Sequence, residues 1–169
     1  MKQFITDVNW GELDYLIIDL PPGTGDAPLT MAQTIPITGI LIVTTPQDVA
    51  MNVAVKSIGM FNKLNIPIIG VVENMSYLSC PNCDEKINIF GKGGGQKISE
   101  QFKVPFIGEI PLTPQIMQGS DEGKSIIISD PNSEYSQAFY RISKITAGRI
   151  SVVALELQDQ EEEKEKILQ

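Results

Sequence analysis

Three groups of residues in this sequence could carry chemistry. Asp19 ends an apolar run, Tyr15-Leu16-Ile17-Ile18, and is followed by Pro21-Pro22-Gly23-Thr24-Gly25-Asp26. An acid at the carboxyl end of a buried strand needs a cation or a donor opposite it. In open α/β sheets that edge borders the ligand crevice. Asp19 could therefore hold Mg²⁺ through water, as a Walker B acid does, or cap the next helix. The loop after it favours the first reading. Two prolines stiffen it, and two glycines let backbone N–H groups approach an anion. Asn74 ends another apolar run at the same edge. Its amide offers the donor and acceptor that an adenine edge complements, and it is equally a common turn residue.

The third group is Cys80 and Cys83, the two cysteines of the chain. A C-x-x-C turn aims two thiolates at one atom. Half of a zinc knuckle, a redox dithiol, half of a site completed by a second subunit and an inert loop pair are all open readings. A redox dithiol normally places its first cysteine at a helix N-terminus. Here the strand-like stretch Lys86-Ile87-Asn88-Ile89-Phe90 follows instead. A two-fold axis would bring together the four thiolates that a 4Fe–4S cluster or Zn²⁺ requires.

Other chemistry is excluded. The chain has no histidine, which removes the Ser-His-Asp triad, the Cys-His dyad and His-ligated metals. Gly91-Lys92-Gly93-Gly94-Gly95-Gln96-Lys97 imitates a P-loop but fails its spacing. Counted from Gly91, Gln96 stands at the second glycine and Ile98 where Ser or Thr must ligate Mg²⁺. A flexible glycine-rich approach to a helix is the better reading. No other stretch fits Walker A.

Buried strands must position these groups. Short apolar runs at 15–20, 39–44, 67–72 and 104–108 have the pattern of strands covered on both faces of a parallel sheet. Helices are expected between them over 48–64, with Asp48 as N-cap, and over 96–103 and 132–147. Such alternation predicts an α/β fold, a parallel sheet with flanking helices and right-handed crossovers. An insertion at about 75–94 interrupts it and carries the cysteines; long loops in compact domains are usually functional.

Composition agrees with one packed domain: 169 residues, 42% apolar and 20% charged. The net charge is −8. From Leu155 to Gln169, six acids and two lysines give −4, so residues 1–154 carry the other −4. Neither part has a basic stripe, which argues against nucleic acid. No apolar run approaches the ~20 residues of a membrane helix. Sparse cysteine without a signal peptide points to the cytoplasm. The acidic stretch 151–169 is expected as a solvated, frayed helical tail after a domain spanning 1–150.

Together these residues resemble the Mrp/ApbC-type iron–sulfur carrier proteins, in the MinD-like branch of P-loop NTPases that also includes the nitrogenase iron protein. The matching stretches are Trp10-Gly11-Glu12-Leu13-Asp14-Tyr15, Asp19 to Asp26, Thr44-Thr45-Pro46-Gln47, Glu73-Asn74-Met75-Ser76-Tyr77, the Cys80/Cys83 pair and Phe90-Gly91-Lys92-Gly93-Gly94. The resemblance implies a homodimer that binds ATP and Mg²⁺, holds a bridging 4Fe–4S cluster through Cys80 and Cys83, and passes it to apo iron–sulfur proteins. It implies Asp19 as Walker B acid, Gly23 as the switch II glycine sensing the γ-phosphate, Asn74 as adenine contact, and Pro111 and Leu112 in a loop against the base.

The family's Walker A loop and switch I acid lie upstream of the Walker B strand, and this sequence has no counterpart of them. The chain is therefore expected to be the C-terminal portion of a longer protein, with a partial P-loop NTPase domain lacking its N-terminal Walker A unit. Family members are ATPases; this chain alone is expected to be inactive, and poorly soluble or marginally folded. The alternative function is a MinD-like ATPase fragment with a structural zinc knuckle and no cluster transfer.

Overall fold

The computed structural model describes residues 3, 7–80, 82–83 and 85–167, except the side chains of 161, 164, 165 and 167. Pro81 of the cysteine turn lies outside the described residues.

Three parallel strands form the sheet. They are β1 (Ile40–Thr44), β2 (Ile68–Ser79) and β4 (Phe106–Leu112), and β2 pairs with both of the others. A two-residue β3 (Lys86–Ile87) adds antiparallel to the far end of β2. Helices α1 (Asp26–Thr34), α2 (Asp48–Lys63), α3 (Gly94–Phe102), α4 (Pro114–Asp121), α5 (Ile126–Ser129) and α6 (Glu134–Ile167) complete the described elements.

Successive β2 residues face opposite layers, as a pleated strand must. Val71 packs with Ile42, Ala54, Ile58 and Ile98 under α2 and α3. Val72 packs with Ile107, Ile110 and Ile142 under α6. This is the expected α/β architecture with a helix layer on each face. The core around β2 is tight. A Cβ on Gly70 would lie 2.8 Å from the Pro105 carbonyl oxygen, so only glycine fits between these strands. Where the β1–β2 register shifts, after Ile40, Arg149 on α6 donates from Nε to the Ile69 carbonyl at 2.8 Å. The ladder's irregularity is thereby satisfied from the helix layer.

Several expectations are corrected. The segment 15–20 forms no strand; it runs outside the sheet with Ile17 88% exposed. A doubly covered strand exists only where neighbours take its backbone groups, and no described strand lies against it. Asp48 is not the N-cap of α2: Gln47 occupies that position, and Asp48 sits in the first turn, where a carboxylate favours the helix dipole. The third apolar run does not stop at Asn74. Met75 takes a left-handed φ of 53°, the backbone kinks, and pairing resumes to Ser79. The glycine-rich stretch does lead into a helix, but its last two glycines, Gly94 and Gly95, are buried, as described below. The acidic stretch continues α6 without a break to Ile167.

Candidate functional site

A cleft of about 760 Å³ opens beside β1. Asp19, Gly23 and Asn74 all line it, together with Thr44 and Thr45 at the end of β1. Three of the sequence-predicted residues therefore share one cavity. Asp19 is exposed on its rim. It does not cap the next helix, because the N-cap of α1 is Gly25. Gly23 takes a φ of +97°, a conformation that a side chain would strain. Asn74 is half-buried, and its Oδ1 accepts the Met75 N–H at 2.9 Å. That bond stabilises the kink, so the turn-forming role is real, and the residue still faces the cleft.

Pro111 and Leu112 are placed differently from expectation. They belong to β4 rather than to a loop, and neither lines the cleft. Register puts Ile110 opposite Asn74 and Leu112 opposite Leu78. Pro111 is buried.

Cys80 and Cys83 lie away from the cleft, at the end of the β2–β3 hairpin. Cys80 is half-buried, Cys83 is exposed, and neither is in a disulfide. The hairpin is closed by the Cys80 N–H donating to the Glu85 carbonyl at 2.9 Å, and Lys86 Nζ stands 3.8 Å from the centre of the Tyr77 ring. Among the described residues, no three Cys, Asp or Glu side chains converge into a metal-binding group. Two thiolates are what this chain offers from that turn.

Glu73 is the residue that sequence reasoning passed over. It is fully buried on the central strand. Both carboxylate oxygens are used: Ser76 Oγ donates to Oε1 at 2.5 Å and the Gly95 N–H donates to Oε2 at 2.6 Å. A buried carboxylate from β2 thus faces the first turn of α3, where the helix dipole favours it. A Cβ on Gly95 would lie 3.0 Å from the Glu73 Cβ, and one on Gly94 would lie 2.5 Å from Met51 Sδ. Gly93 is left-handed at φ 69° and caps α3. The glycine run is therefore fixed against β2 and α2. Gly94 and Gly95 thus anchor the return of the cysteine hairpin, while Gly91 and Lys92 before them are exposed. The available signal was an acid inside the apolar run 68–74 followed, about twenty residues on, by a glycine-led helix start.

A parallel sheet with helices on both faces, and a cleft carrying an acid and an amide beyond its strands, is the layout of MinD-like nucleotide-binding proteins. A nucleotide-binding protein from Archaeoglobus fulgidus, solved in complex with ADP, is 42% identical and superposes with a TM-score of 0.68, covering 79% of this chain and 54% of that one. The cell division ATPase MinD of Pyrococcus furiosus is 25% identical with a TM-score of 0.58, covering 83% of this chain and 52% of that one. The chain belongs to the ParA family, as a NUBPL iron-transfer P-loop NTPase, which it matches over residues 1–146. An iron–sulfur cluster carrier protein of Deinococcus radiodurans is 48% identical over 155 residues, covering 92% of this chain and 44% of the relative. The chain spans about half the length of the curated relatives it matches.

Proposed function

We propose that this chain is the cluster-holding half of an iron–sulfur carrier. The observation that carries the reading is the cysteine hairpin. It is a two-thiolate turn at the rim of the sheet, closed by backbone bonds and anchored at its return by Glu73 and the glycine run. Two thiolates do not complete a cluster. A second copy brought hairpin to hairpin supplies the other two, giving a homodimer with one bridging 4Fe–4S cluster as cargo. The exposed side of the turn, at Cys83, gives an acceptor's thiolates a path to replace those of the carrier, one ligand for another, with no net redox change. Apo iron–sulfur proteins in the cytoplasm are the partners this chemistry serves.

ATP and Mg²⁺ fit this chain only in part. Asp19 is suited to a water-held Mg²⁺ and Asn74 to an adenine edge, with Gly23 beside them in the γ-phosphate-sensing position. Pro111 and Leu112, on the strand next to Asn74, would lie near the base. No stretch has the Walker A spacing that cradles a triphosphate, and the last two glycines of the glycine-rich run, Gly94 and Gly95, are taken up in packing. Hydrolysis is therefore assigned to the longer family proteins, which would use nucleotide to bias the dimer and so cluster release.

Anaerobic reconstitution with iron and sulfide tests the reading. About two iron and two sulfide per chain are expected, in a dimer that dissociates on chelation. Cys80→Ser and Cys83→Ser should each abolish the full cluster. A colourless product with about half a zinc per chain would overturn the carrier assignment in favour of a zinc-stapled ATPase fragment.

A further inference from the structure

A second groove, of about 340 Å³, runs between β4 and α6. Its lining is apolar along the middle, where Ile107 is buried and Ile145 is 45% exposed. Gly108 lets the helix close in on the strand: a Cβ there would lie 3.1 Å from Ile142 Cγ1. Another wall is Tyr77 and Lys86, which stand on the two strands of the cysteine hairpin. Lys86 pairs with Ser79, and the next rung is the Cys80 N–H on the Glu85 carbonyl. The groove therefore shares a wall with the thiolate turn. Arg141 lines it from α6.

The charge of this groove runs against that of the chain, which stands at −8. Between Glu134 and Glu156, α6 carries Arg141, Lys144 and Arg149 and no acid. Lys86 and Arg141 are both exposed, and neither forms an ion pair among the described residues. Lys86 Nζ stands 3.8 Å from the centre of the Tyr77 ring, which steadies the cation without neutralising it. The acids of this region leave both cations available. Glu109 lines the groove but pairs with neither. Glu134 accepts from Ser79 Oγ at 3.3 Å. Two cations against one acid, around an apolar lining, are the complement of a short segment bearing carboxylates and an apolar side chain. A phosphate polymer meets the negative field of the whole chain instead.

We propose that this groove docks an acidic segment of the acceptor apo iron–sulfur protein and holds that protein beside Cys80 and Cys83 during transfer. The proposal rests on the carrier reading and names where its partner binds. Carboxylates of the segment meet Lys86 and Arg141, and an apolar side chain between them covers Ile107 and Ile145. A carboxylate on Lys86 lies one rung of the hairpin from Cys80, so docking brings the acceptor's thiols to the cluster. Transfer is then ligand exchange. Each iron–sulfur bond to the carrier breaks as one to an acceptor thiolate forms, and the proton released by the acceptor thiol passes to the carrier thiolate. No electron moves. A second copy is the poorer occupant. α6 starts beside the hairpin, where Glu134 meets Ser79, and its acids from Glu156 onward lie about 33 Å further along the helix. Two copies joined at their hairpins keep each acidic end away from the other's groove.

The test measures binding and transfer separately, with an apo-ferredoxin of the 4Fe–4S type that is rich in surface acids. Its affinity for the full, cluster-free chain is read by calorimetry. Lys86→Glu combined with Arg141→Glu should weaken binding about tenfold or more, and added salt should weaken binding to the unaltered chain. The doubly altered chain should keep its dichroism and its iron and sulfide content. It should transfer slowly at low acceptor and regain the native rate at saturating acceptor. Lys86→Arg combined with Arg141→Lys should retain the affinity. Lys56→Glu combined with Lys63→Glu makes the same change in net charge on α2, in the opposite helix layer, and should alter the affinity by less than about twofold. An affinity indifferent to Lys86 and Arg141 would overturn the proposal. So would an equal loss in the Lys56 and Lys63 variant, which would make net charge the cause. Self-association of the chain that the groove variant abolishes would make a second copy the occupant and overturn it as well. Binding is read without a cluster, so failure to load one sinks the carrier reading, whereas failure to bind sinks the docking site.

Discussion

The two sides of β2 are in different states of completion. Toward β4 and α3 every demand is met: the strands pair, Val71 and Val72 fill two cores, and the buried Glu73 has a donor on each oxygen. Toward β1, among the described residues, the sheet ends, an apolar segment stays outside it, and the buried Thr146 hydroxyl lacks a partner. The closed side carries the cysteine hairpin, and the open side carries Asp19, Gly23 and Asn74. What the chain needs to hold the hairpin is internal.

Substitutions on the closed side should cost most. Ile98 is buried between α3 and β2. Ile98→Ala should lower stability by about 2–5 kcal/mol, read from the urea midpoint. A loss well under ~1 kcal/mol would mean that the α3 layer is not closed at all. Glu73→Gln comes next. It leaves one buried donor without a matched acceptor, at about 1–3 kcal/mol, and should raise amide exchange at Gly95. If stability and Gly95 protection both persist, the clamp on the hairpin is not Glu73. The smallest effect is expected on the open side. Ile17→Lys should change the stability of the free chain by less than ~0.5 kcal/mol, because the side chain is already in solvent. A large loss would show that the 15–20 segment is packed, and would erase the contrast.

The closed side was largely legible in the sequence. The runs at 39–44 and 67–72 became β1 and the first part of β2, and the spacing of Ala54, Ile58 and Phe61 marked the buried face of α2. Asp19 and Asn74 could be grouped by reading each as the end of a strand at one sheet edge, and the cleft does unite them with Gly23 although 15–20 is no strand. The remainder depended on long-range facts. Residues 15–20 carry the local pattern of a buried strand, but pairing needs a neighbour that local pattern cannot report. Met75 hides the continuation of β2, since a non-glycine in the left-handed region leaves no reliable mark. The partners of Glu73 are three and twenty-two residues away, and only the fold brings the second one near. Charge disguised the length of α6, whose acidic end looked like a separate tail.

That length has a thermodynamic consequence. At 1.5 Å per residue, a 34-residue helix is about 51 Å long. Val153 is the last buried side chain described on it. The stretch from there to Ile167, some ~20 Å of rod, is held by intrahelical bonds and by weak surface pairs such as Lys166 with Glu162, 3.9 Å apart. A helix end of that size is marginal in water on its own. On heating it should unwind gradually, well before the sheet gives way. Far-ultraviolet dichroism would then decline ahead of the near-ultraviolet signal, and the van't Hoff enthalpy from the first would fall below the calorimetric value. The mismatch between the two probes would belong to the overhanging helix rather than to a folding intermediate.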